Sequence, residues 1–264
     1  MLRPLAFGEI LDTAFSVLRR NVWVFLAISV IPSAIGAAAL GVLTAALPQQ
    51  DGKITADDLN AVLGGGAVSL LIVLLTSQLA TGALFKAVVD TYIGGTASIG
   101  EALRFALRRL PSMLWIALLT GFGLLFGFIL LIIPGIILWA MWSLALPVLM
   151  SEDTRGTKAL SRSAHLVKGR WWGTLGLMVV TFVIATIFSS VIGRAIGAAI
   201  GTSGSGSLQR GLSTFVETLI SSTLTGPLVA AVTTVLYIDQ RVRKEGLDVQ
   251  LLAMQAAAEE PAGA

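Results

Sequence analysis

Long hydrophobic runs, separated by short segments rich in arginine, form the main pattern of the chain. The first run covers residues 21–47 and the second covers residues 61–93. As a helix, the second run would be about 50 Å long at about 1.5 Å per residue, whereas the hydrocarbon core of a bilayer is about 30 Å thick. We therefore expect each run to cross a membrane once, with the ends of the second run outside the core.

The hydrophobic run over residues 112–150 is too long for one crossing. Two helices fit, and the pair Pro134-Gly135 near the middle favours a turn between them. Two more runs cover residues 171–200 and 212–238, with a flexible Gly/Ser-rich stretch between them. The pattern thus predicts an all-α, polytopic membrane protein with six transmembrane helices.

The distribution of Lys and Arg residues predicts the orientation of these spans. Of the 18 basic residues, fourteen lie in the N-terminal segment, after span 2, after span 4 or in the C-terminal segment. Positive residues near the ends of spans are retained on the cytoplasmic side. Both termini are therefore predicted to be cytoplasmic, and the expected location is the plasma membrane.

Three basic segments lead into a span in a similar way, with apolar residues at helical spacing, basic residues at the far end and a tryptophan soon afterwards. Two begin with Gly8-Glu9 and Gly100-Glu101, and the third begins more loosely at Gly156. We expect three amphipathic helices lying along the inner membrane surface, with tryptophan as an interface anchor. Their basic residues and tryptophans include Arg19, Arg20 and Trp23; Arg108, Arg109 and Trp115; and Arg162, Lys168, Arg170, Trp171 and Trp172.

This recurrence predicts a threefold repeat in which each unit contains an interfacial helix followed by two spans. The units cover residues 1–95, 96–152 and 153–246, which together form one transmembrane domain. The alternative is a chance likeness, since any basic lead-in to a span has these features. Residues 247–264 begin amphipathic and then become rich in Ala and Glu, so we expect a partly disordered cytoplasmic tail.

Small residues recur every four positions on several spans, for example at Gly123 and Gly127 and at Gly193, Gly197 and Gly201. This spacing lets helix backbones approach one another closely. Packing within one chain is the simpler interpretation. A homo-oligomer is the alternative.

The composition agrees with a chain dissolved in a bilayer. Hydrophobic residues make up 55% of the sequence and charged residues only 12%, about half the charged fraction of a soluble domain. The net charge of +3 comes from residues that flank apolar spans and form no single soluble basic face, so a nucleic-acid partner is not expected. The expected partners are anionic lipid headgroups and a cytoplasmic or membrane protein.

Few ionisable residues lie within the hydrophobic runs, where such residues usually mark function. Lys86 and Asp90 are four positions apart on span 2 and are expected to form a polar pair on one helix face. Asp239 ends span 6 much as Asp90 ends span 2, and both acids are expected to hold the basic surface helices against the bundle. Thr214-x-x-Glu217 has the spacing of a capping box and is expected to start span 6.

No residue constellation points to catalysis or to a cofactor. The sequence has no cysteine, which excludes a thiolate metal site. Its single histidine, His165, lies in a basic surface segment without a second histidine, so neither a metal site nor a Ser/His dyad buried in the membrane is expected. It also lacks the GxxxxGK[ST] pattern of a phosphate-binding loop. We therefore expect a protein that is not an enzyme and that uses no cofactor.

Three stretches together resemble a known family. They are RPLAFGEILDTAF at residues 3–15, the segment from IPG at 133–135 to ALSRSAHLVKGRWW at 159–172, and YIDQRVRKEGLD at 237–248. They are similar to the membrane domain of bacterial glycerophosphoryl diester phosphodiesterases, in its stand-alone actinobacterial form. The resemblance implies fold and location; in some relatives the activity belongs to a fused barrel of about 250 residues, for which the spans here leave no room.

Two functions follow from this pattern. The first is a non-enzymatic module that binds anionic headgroups and organises a lipid or protein partner at the inner leaflet, through Arg19, Arg20, Arg108, Arg109, Arg162, Lys168 and Arg170. The alternative is a transporter or permease for a lipid-like or small amphipathic solute. Transport requires a polar cavity at mid-depth, for which span 2 offers Thr76, Ser77, Gln78 and Thr81.

Overall fold

A computed structural model of the chain describes residues 4–47, 56–152, 154, 156–200 and 206–246, and this part contains α-helices and no strand. The all-α fold class is therefore confirmed. In chain order, the helices are α1 (Phe7–Arg20), α2 (Val22–Ala46), α3 (Ala56–Tyr92), α4 (Ile99–Leu130), α5 (Ile132–Trp142), α6 (Ala145–Glu152), α7 (Thr157–Val167), α8 (Trp171–Ile200) and α9 (Ser207–Glu245).

Six spans, as predicted, are long and apolar enough to cross a membrane, counted over the described residues. The chain is thus a multi-pass membrane protein in its helical architecture. Span 4 combines α5 and α6. The spans are Val22–Ala46, Val62–Tyr92, Ile99–Leu130, Ile132–Glu152, Trp171–Ala199 and Ser207–Glu245.

Consecutive spans form three hairpins, α2–α3, α4–α5 and α8–α9. The second helix of each hairpin also contacts the first helix of another, since α3 packs on α4, α5 on α8 and α9 on α2. Helix α9 has the widest set of neighbours and touches α1, α3, α6 and α7 as well. This order of contacts is compatible with three units arranged in a ring, and the threefold repeat stays a prediction.

The hydrophobic core lies toward the end of the bundle that carries α1, α7 and the C-terminus of α9, which we call the basic end. The largest fully buried side chains include Phe25 near the start of α2, Leu84 near the end of α3 and Leu177 near the start of α8. At the opposite end, where α4 meets α5, Ile129 and Ile133 are each 70% exposed. The bundle is therefore tightly packed at the basic end and looser beyond it.

The second lead-in segment is not a separate surface helix, contrary to the sequence-based prediction. Helix α4 continues from Ile99 through Pro111 to Leu130. Pro111 has no N–H for a bond to the Leu107 carbonyl, which favours a break at this point. Tertiary packing overrides that preference, because Ala106 and Met113 on either side of the proline are fully buried.

The turn between spans 3 and 4 also differs from its predicted position. It lies at Leu131, and Pro134 occupies the first turn of α5, where its missing N–H costs nothing. Span 4 is then interrupted between Trp142, the last residue of α5, and Ala145, the first residue of α6. The predicted capping box is wrong as well, because α9 begins at Ser207 and Glu217 lies inside the helix.

Several glycines of the small-residue pattern mark close helix approaches within the chain. A Cβ atom built on Gly41 of α2 would lie 2.8 Å from the Gly211 carbonyl oxygen of α9. A Cβ on Gly123 would overlap the Trp142 ring, and one on Gly127 would lie 3.1 Å from Gly135 Cα. These positions therefore pack the chain's own helices. Gly193 has nothing within 4 Å of such an atom, and Gly201 lies outside the described residues.

We predict that Gly41→Ala lowers the thermal unfolding midpoint of the detergent-solubilised protein. The added methyl group would press on the α9 backbone, which cannot rotate away, and overpacking of this kind costs about 1–3 kcal/mol. Gly121→Ala in α4 is the matched control, because nothing lies within 4 Å of its added Cβ atom. It should leave the midpoint unchanged or raise it through helix propensity. Equal effects of both substitutions would contradict the close α2–α9 approach.

Candidate functional site

A cluster of charged side chains joins α6, α7 and α9 at the basic end. Arg162 Nε donates to Glu152 Oε2 over 2.7 Å, and its Nη2 lies 2.5 Å from Glu245 Oε1. The Tyr237 hydroxyl donates to Glu152 Oε1 over 2.9 Å, and Arg241 Nε donates to Glu245 Oε2 over 3.1 Å. We call these five residues the ionic cluster. It links the end of span 4 to the end of span 6 through α7.

The position of Arg162 keeps it charged. Its hydrogen bond to Glu152 raises the pKa of Arg162; partial burial acts against this, and the bond to Glu245 raises the pKa further. The net effect is a pKa above the ordinary arginine value. The exposed fractions of the Arg162 and Glu152 side chains are 27% and 15%, so water screens this pair less than it would a surface pair. The contact therefore holds α7 against the bundle.

A second polar contact fixes the N-terminal segment to α9. Asp239 Oδ1 accepts from the Leu5 backbone N–H over 2.7 Å, and its Oδ2 accepts from Arg243 Nε over 2.8 Å. Arg243 also donates to the Leu5 carbonyl oxygen. The Asp239 side chain is only 1% exposed. Asp239 therefore holds the lead-in to α1 through backbone groups, whereas the sequence suggested contact with a basic surface helix.

Ser163 of α7 closes the interruption in span 4. Its hydroxyl donates to the Met141 carbonyl oxygen over 2.7 Å and accepts from the Leu144 N–H over 3.2 Å. Both backbone groups lie at the α5–α6 junction, where a helix break leaves donors and acceptors without intrahelical partners. Ser163 is fully buried, so no solvent replaces these bonds. One side chain thus satisfies both sides of the break.

Two cations bond to the carbonyl groups that end helices. Arg109 Nη1 donates to the carbonyl oxygens of Leu149 and Met150 near the end of α6, over 2.9 and 3.2 Å. Lys244 Nζ donates to the carbonyl oxygens of His165 and Lys168 at the end of α7, over 2.5 and 2.6 Å. Cations at helix C-termini also interact favourably with the helix dipole. Arg109 and Lys244 therefore stabilise the ends of α6 and α7.

The structure divides the seven basic residues predicted to contact headgroups into two classes. Arg109 and Arg162 bond to protein groups, as described above. The other five are exposed, and none of them forms an ion pair with a residue in the described ranges. These five exposed cations are Arg19, Arg20, Arg108, Lys168 and Arg170.

The predicted polar pair on α3 lies near the basic end. Lys86 Nζ donates to Asp90 Oδ1 on the same helix face. The exposed fractions of the two side chains are 31% and 22%, so the pair sits at the bundle surface and not in its core. His165 is exposed on α7. Among the described residues, no group of three or more His, Cys, Asp or Glu side chains is arranged to hold a metal ion.

A cavity of about 220 Å³ lies between α2, α3 and α9. Seven hydroxyl side chains line it, and we call it the hydroxyl cavity. Thr76, Ser77 and Thr81 are three of the four span 2 residues selected for a mid-depth site, while Gln78 is not part of the lining. The other four hydroxyls come from α2 and α9 and were not predicted. They are Ser33, Thr218, Ser222 and Thr225.

A second cavity, of about 320 Å³, lies between α8 and α9 toward the opposite end. Its lining includes Arg194 and Glu217, together with Ser189, Ser190 and Ser221. The two charged side chains share the cavity without forming an ion pair.

A family model described as a domain of unknown function, DUF7847, matches residues 4–239. The chain belongs to this family. Comparisons with curated proteins and with solved structures give no match. In this DUF7847 member, the matched residues begin just before α1 and end at Asp239 in α9. The match therefore includes both Leu5 and Asp239, whose hydrogen bond fixes the N-terminal segment to α9.

No motif in the sequence of this DUF7847 member singles out Glu152 or Ser163. Glu152 is the first acidic residue after the long hydrophobic run of spans 3 and 4, and that position is the only signal that pointed to it. Ser163 is one of several serines in a basic segment. Its role depends on the break in span 4, which the hydrophobic pattern does not reveal.

We predict that Ser163→Ala lowers the free energy of unfolding by about 1–3 kcal/mol, because it leaves a buried carbonyl and a buried N–H without partners. The control is Ser161→Ala, two positions away on α7 and exposed. It should change stability by less than about 0.5 kcal/mol. Denaturant unfolding in detergent micelles measures both, and a Ser163→Ala protein as stable as the control would contradict the capping role.

A double-mutant cycle tests the ionic cluster of this family member. Glu152→Gln and Arg162→Gln should each destabilise the protein, and the double variant should lose less stability than the two single losses added together. The expected coupling is about 0.5–3 kcal/mol, since the two groups share one contact. Additive losses in denaturant unfolding would mean that Glu152 and Arg162 act independently.

Proposed function

We propose that this protein is a non-enzymatic module of the bacterial plasma membrane whose basic end lies in the inner leaflet. There it binds anionic lipid headgroups and organises a lipid or protein partner. Both termini are then cytoplasmic, as the distribution of basic residues predicts. The resemblance to the membrane domain of glycerophosphoryl diester phosphodiesterases agrees with this placement and assigns no activity to the chain.

The observation that carries the proposal is the recurrence of exposed cations beside exposed tryptophans at the basic end. Trp23, Trp115 and Trp172 are 80%, 56% and 70% exposed. Each follows the last exposed cation of its segment, which is Arg20, Arg108 or Arg170, by two to seven residues. Tryptophan rings favour the headgroup level of a bilayer. The adjacent cations would then stand at the depth of the lipid phosphates.

The energetics favour lipid binding by the exposed cations over the bonded ones. A Lys or Arg near an anionic membrane surface contributes about 1 kcal/mol, so five exposed cations together would hold such a surface firmly. Arg109 and Arg162 contribute less, because their guanidinium groups already bond to carbonyl or carboxylate oxygens of the protein. The proposed binding surface therefore contains five of the seven cations that the sequence suggested.

Lipid analysis of the purified protein tests the proposal. A variant in which Arg19, Arg20, Arg108, Lys168 and Arg170 are all changed to Gln should lose most of the anionic lipid that co-purifies with the wild type in mild detergent. Its unfolding midpoint should stay the same, because none of these side chains bonds to the described part of the protein. Mass spectrometry of the retained lipids gives the ratio of anionic to zwitterionic species.

The matched control changes Arg19, Arg20, Arg108 and Arg170 to Lys and leaves Lys168 in place. It keeps the number of positive charges, so it should retain anionic lipid at close to the wild-type ratio. If the Gln variant retained as much anionic lipid as the wild type, headgroup binding by these five residues would be refuted.

One observation favours the second candidate function, movement of a small polar or amphipathic solute. This function needs a polar cavity at mid-depth in the bundle, and the hydroxyl cavity has that position and lining. Kinked helices would provide the moving parts, and α2 and α9 carry Pro32 and Pro227 in their interiors.

A further inference from the structure

We infer that the hydroxyl cavity is a binding site for a small uncharged solute that carries several hydroxyl groups. This inference goes beyond headgroup binding and gives the second candidate function a substrate class. The site and the exposed cations share no residue. The two proposals can therefore fail separately.

The depth of the cavity places it in the middle of the bundle. Ser33 is eleven residues from the start of α2, which is about 16 Å of helix. Thr76 is sixteen residues from the end of α3, or about 24 Å, and Thr225 is fourteen residues before Asp239, or about 21 Å. The hydrocarbon core is about 30 Å thick, so polar groups at this depth are separated from bulk water by lipid. Polar groups placed there need partners inside the protein.

Part of the lining offers hydrogen-bond acceptors. The hydroxyls of Thr76, Thr81 and Thr225 donate to the carbonyl oxygens of Ile72, Ser77 and Ser221, four residues earlier on their own helices. Each hydroxyl hydrogen is therefore engaged, and the oxygen lone pairs are left to accept. A solute that binds here must bring hydrogen-bond donors.

The Ser77 hydroxyl also donates, to the Leu74 carbonyl oxygen over 3.0 Å, and the remaining three lining hydroxyls can both donate and accept. The hydroxyls of Ser33, Thr218 and Ser222 make no hydrogen bond to any group in the described part of the chain. Beside the cavity, Ser29 is 1% exposed and its Oγ has no hydrogen-bond partner among the described residues. A Cβ atom built on Gly226, a lining residue, would lie 3.7 Å from that Oγ. A buried polar group therefore lies directly behind this wall of the cavity.

The absence of charge in the lining and the volume of the cavity restrict which solutes can bind. No Asp, Glu, Lys or Arg is among the lining residues, so a charged solute would have no counter-charge at this depth. Ala37, Val73, Ala80 and Leu84 form an apolar part of the wall that suits C–H groups. The volume of about 220 Å³ is several times the roughly 30 Å³ that one water occupies in the liquid. Together these features fit a short polyol.

Cysteine accessibility tests the site, since the natural chain has no cysteine and each introduced thiol is unique. Ser33→Cys and Ser222→Cys place one thiol on each of two helices that line the cavity. The reagent is 2-hydroxyethyl methanethiosulfonate, which is small, neutral and carries a hydroxyl group. It reacts with the thiolate, which forms in a hydrated site and not in lipid. The protein is reconstituted in liposomes.

The matched control is Ile35→Cys on α2. Ile35 is 56% exposed and lies about 3 Å from Ser33 along the helix axis, but about 200° around it. We expect Ser33→Cys and Ser222→Cys to react at least tenfold faster than Ile35→Cys. Glycerol should slow both reactions severalfold, whereas sucrose at equal osmolality, which is too large for the cavity, should not. Ser161→Cys, at an exposed position of α7, reports any general effect of glycerol on the reagent.

A variant that lacks one lining hydroxyl distinguishes a specific binding site from a cavity that is merely hydrated. Thr225→Val keeps the side-chain shape, so in the Ser33→Cys background it should preserve fast labelling and weaken the protection by glycerol. Labelling no faster than at Ile35→Cys in both cavity variants would overturn the inference, because the cavity would be dry. Fast labelling that glycerol and sucrose affect equally would overturn it too, because the cavity would hold water only.

Discussion

The fold depends on the need to satisfy backbone polar groups that a bilayer cannot hydrate. Within a continuous helix, the backbone groups bond to one another, but several helices begin, end or break near the basic end. There, side chains from other elements supply the missing bonds: Asp239 to the Leu5 N–H, Ser163 to both sides of the break in span 4, and Arg109 and Lys244 to carbonyls at the ends of α6 and α7. These contacts tie the short helices to the long ones, and the most tightly packed part of the core lies beside them.

This constraint divides the basic residues by role. Those that reach a broken helix end or a carboxylate, such as Arg109 and Arg162, belong to the folded core of the basic end. The exposed ones are left to interact with whatever surrounds that end. In the proposed orientation, this surrounding is the headgroup layer, where exposed tryptophans and cations are stable side by side. The same packing explains the cavities, since helices tied together at one end can remain separated farther along.

The hydrophobic pattern predicted the six spans because burial in lipid is a property of the whole run and is insensitive to the position of single residues. It failed where a local preference competed with tertiary packing. Pro111 should end a helix, yet core contacts on both sides carry α4 through it. The capping box at Glu217 failed because α9 starts two turns earlier. The partners of Arg162 come from two other helices, so no spacing within one segment could identify them.

In the proposed topology, the basic end lies at the inner interface of the membrane. Labelling of single cysteines in intact cells with a membrane-impermeant maleimide tests this placement. Arg170 and Arg194 are exposed and flank most of α8, about 36 Å apart along the helix. Arg194→Cys should be labelled in intact cells, and Arg170→Cys only after the membrane is opened. Labelling of Arg170→Cys in intact cells would place the basic end outside and contradict the account.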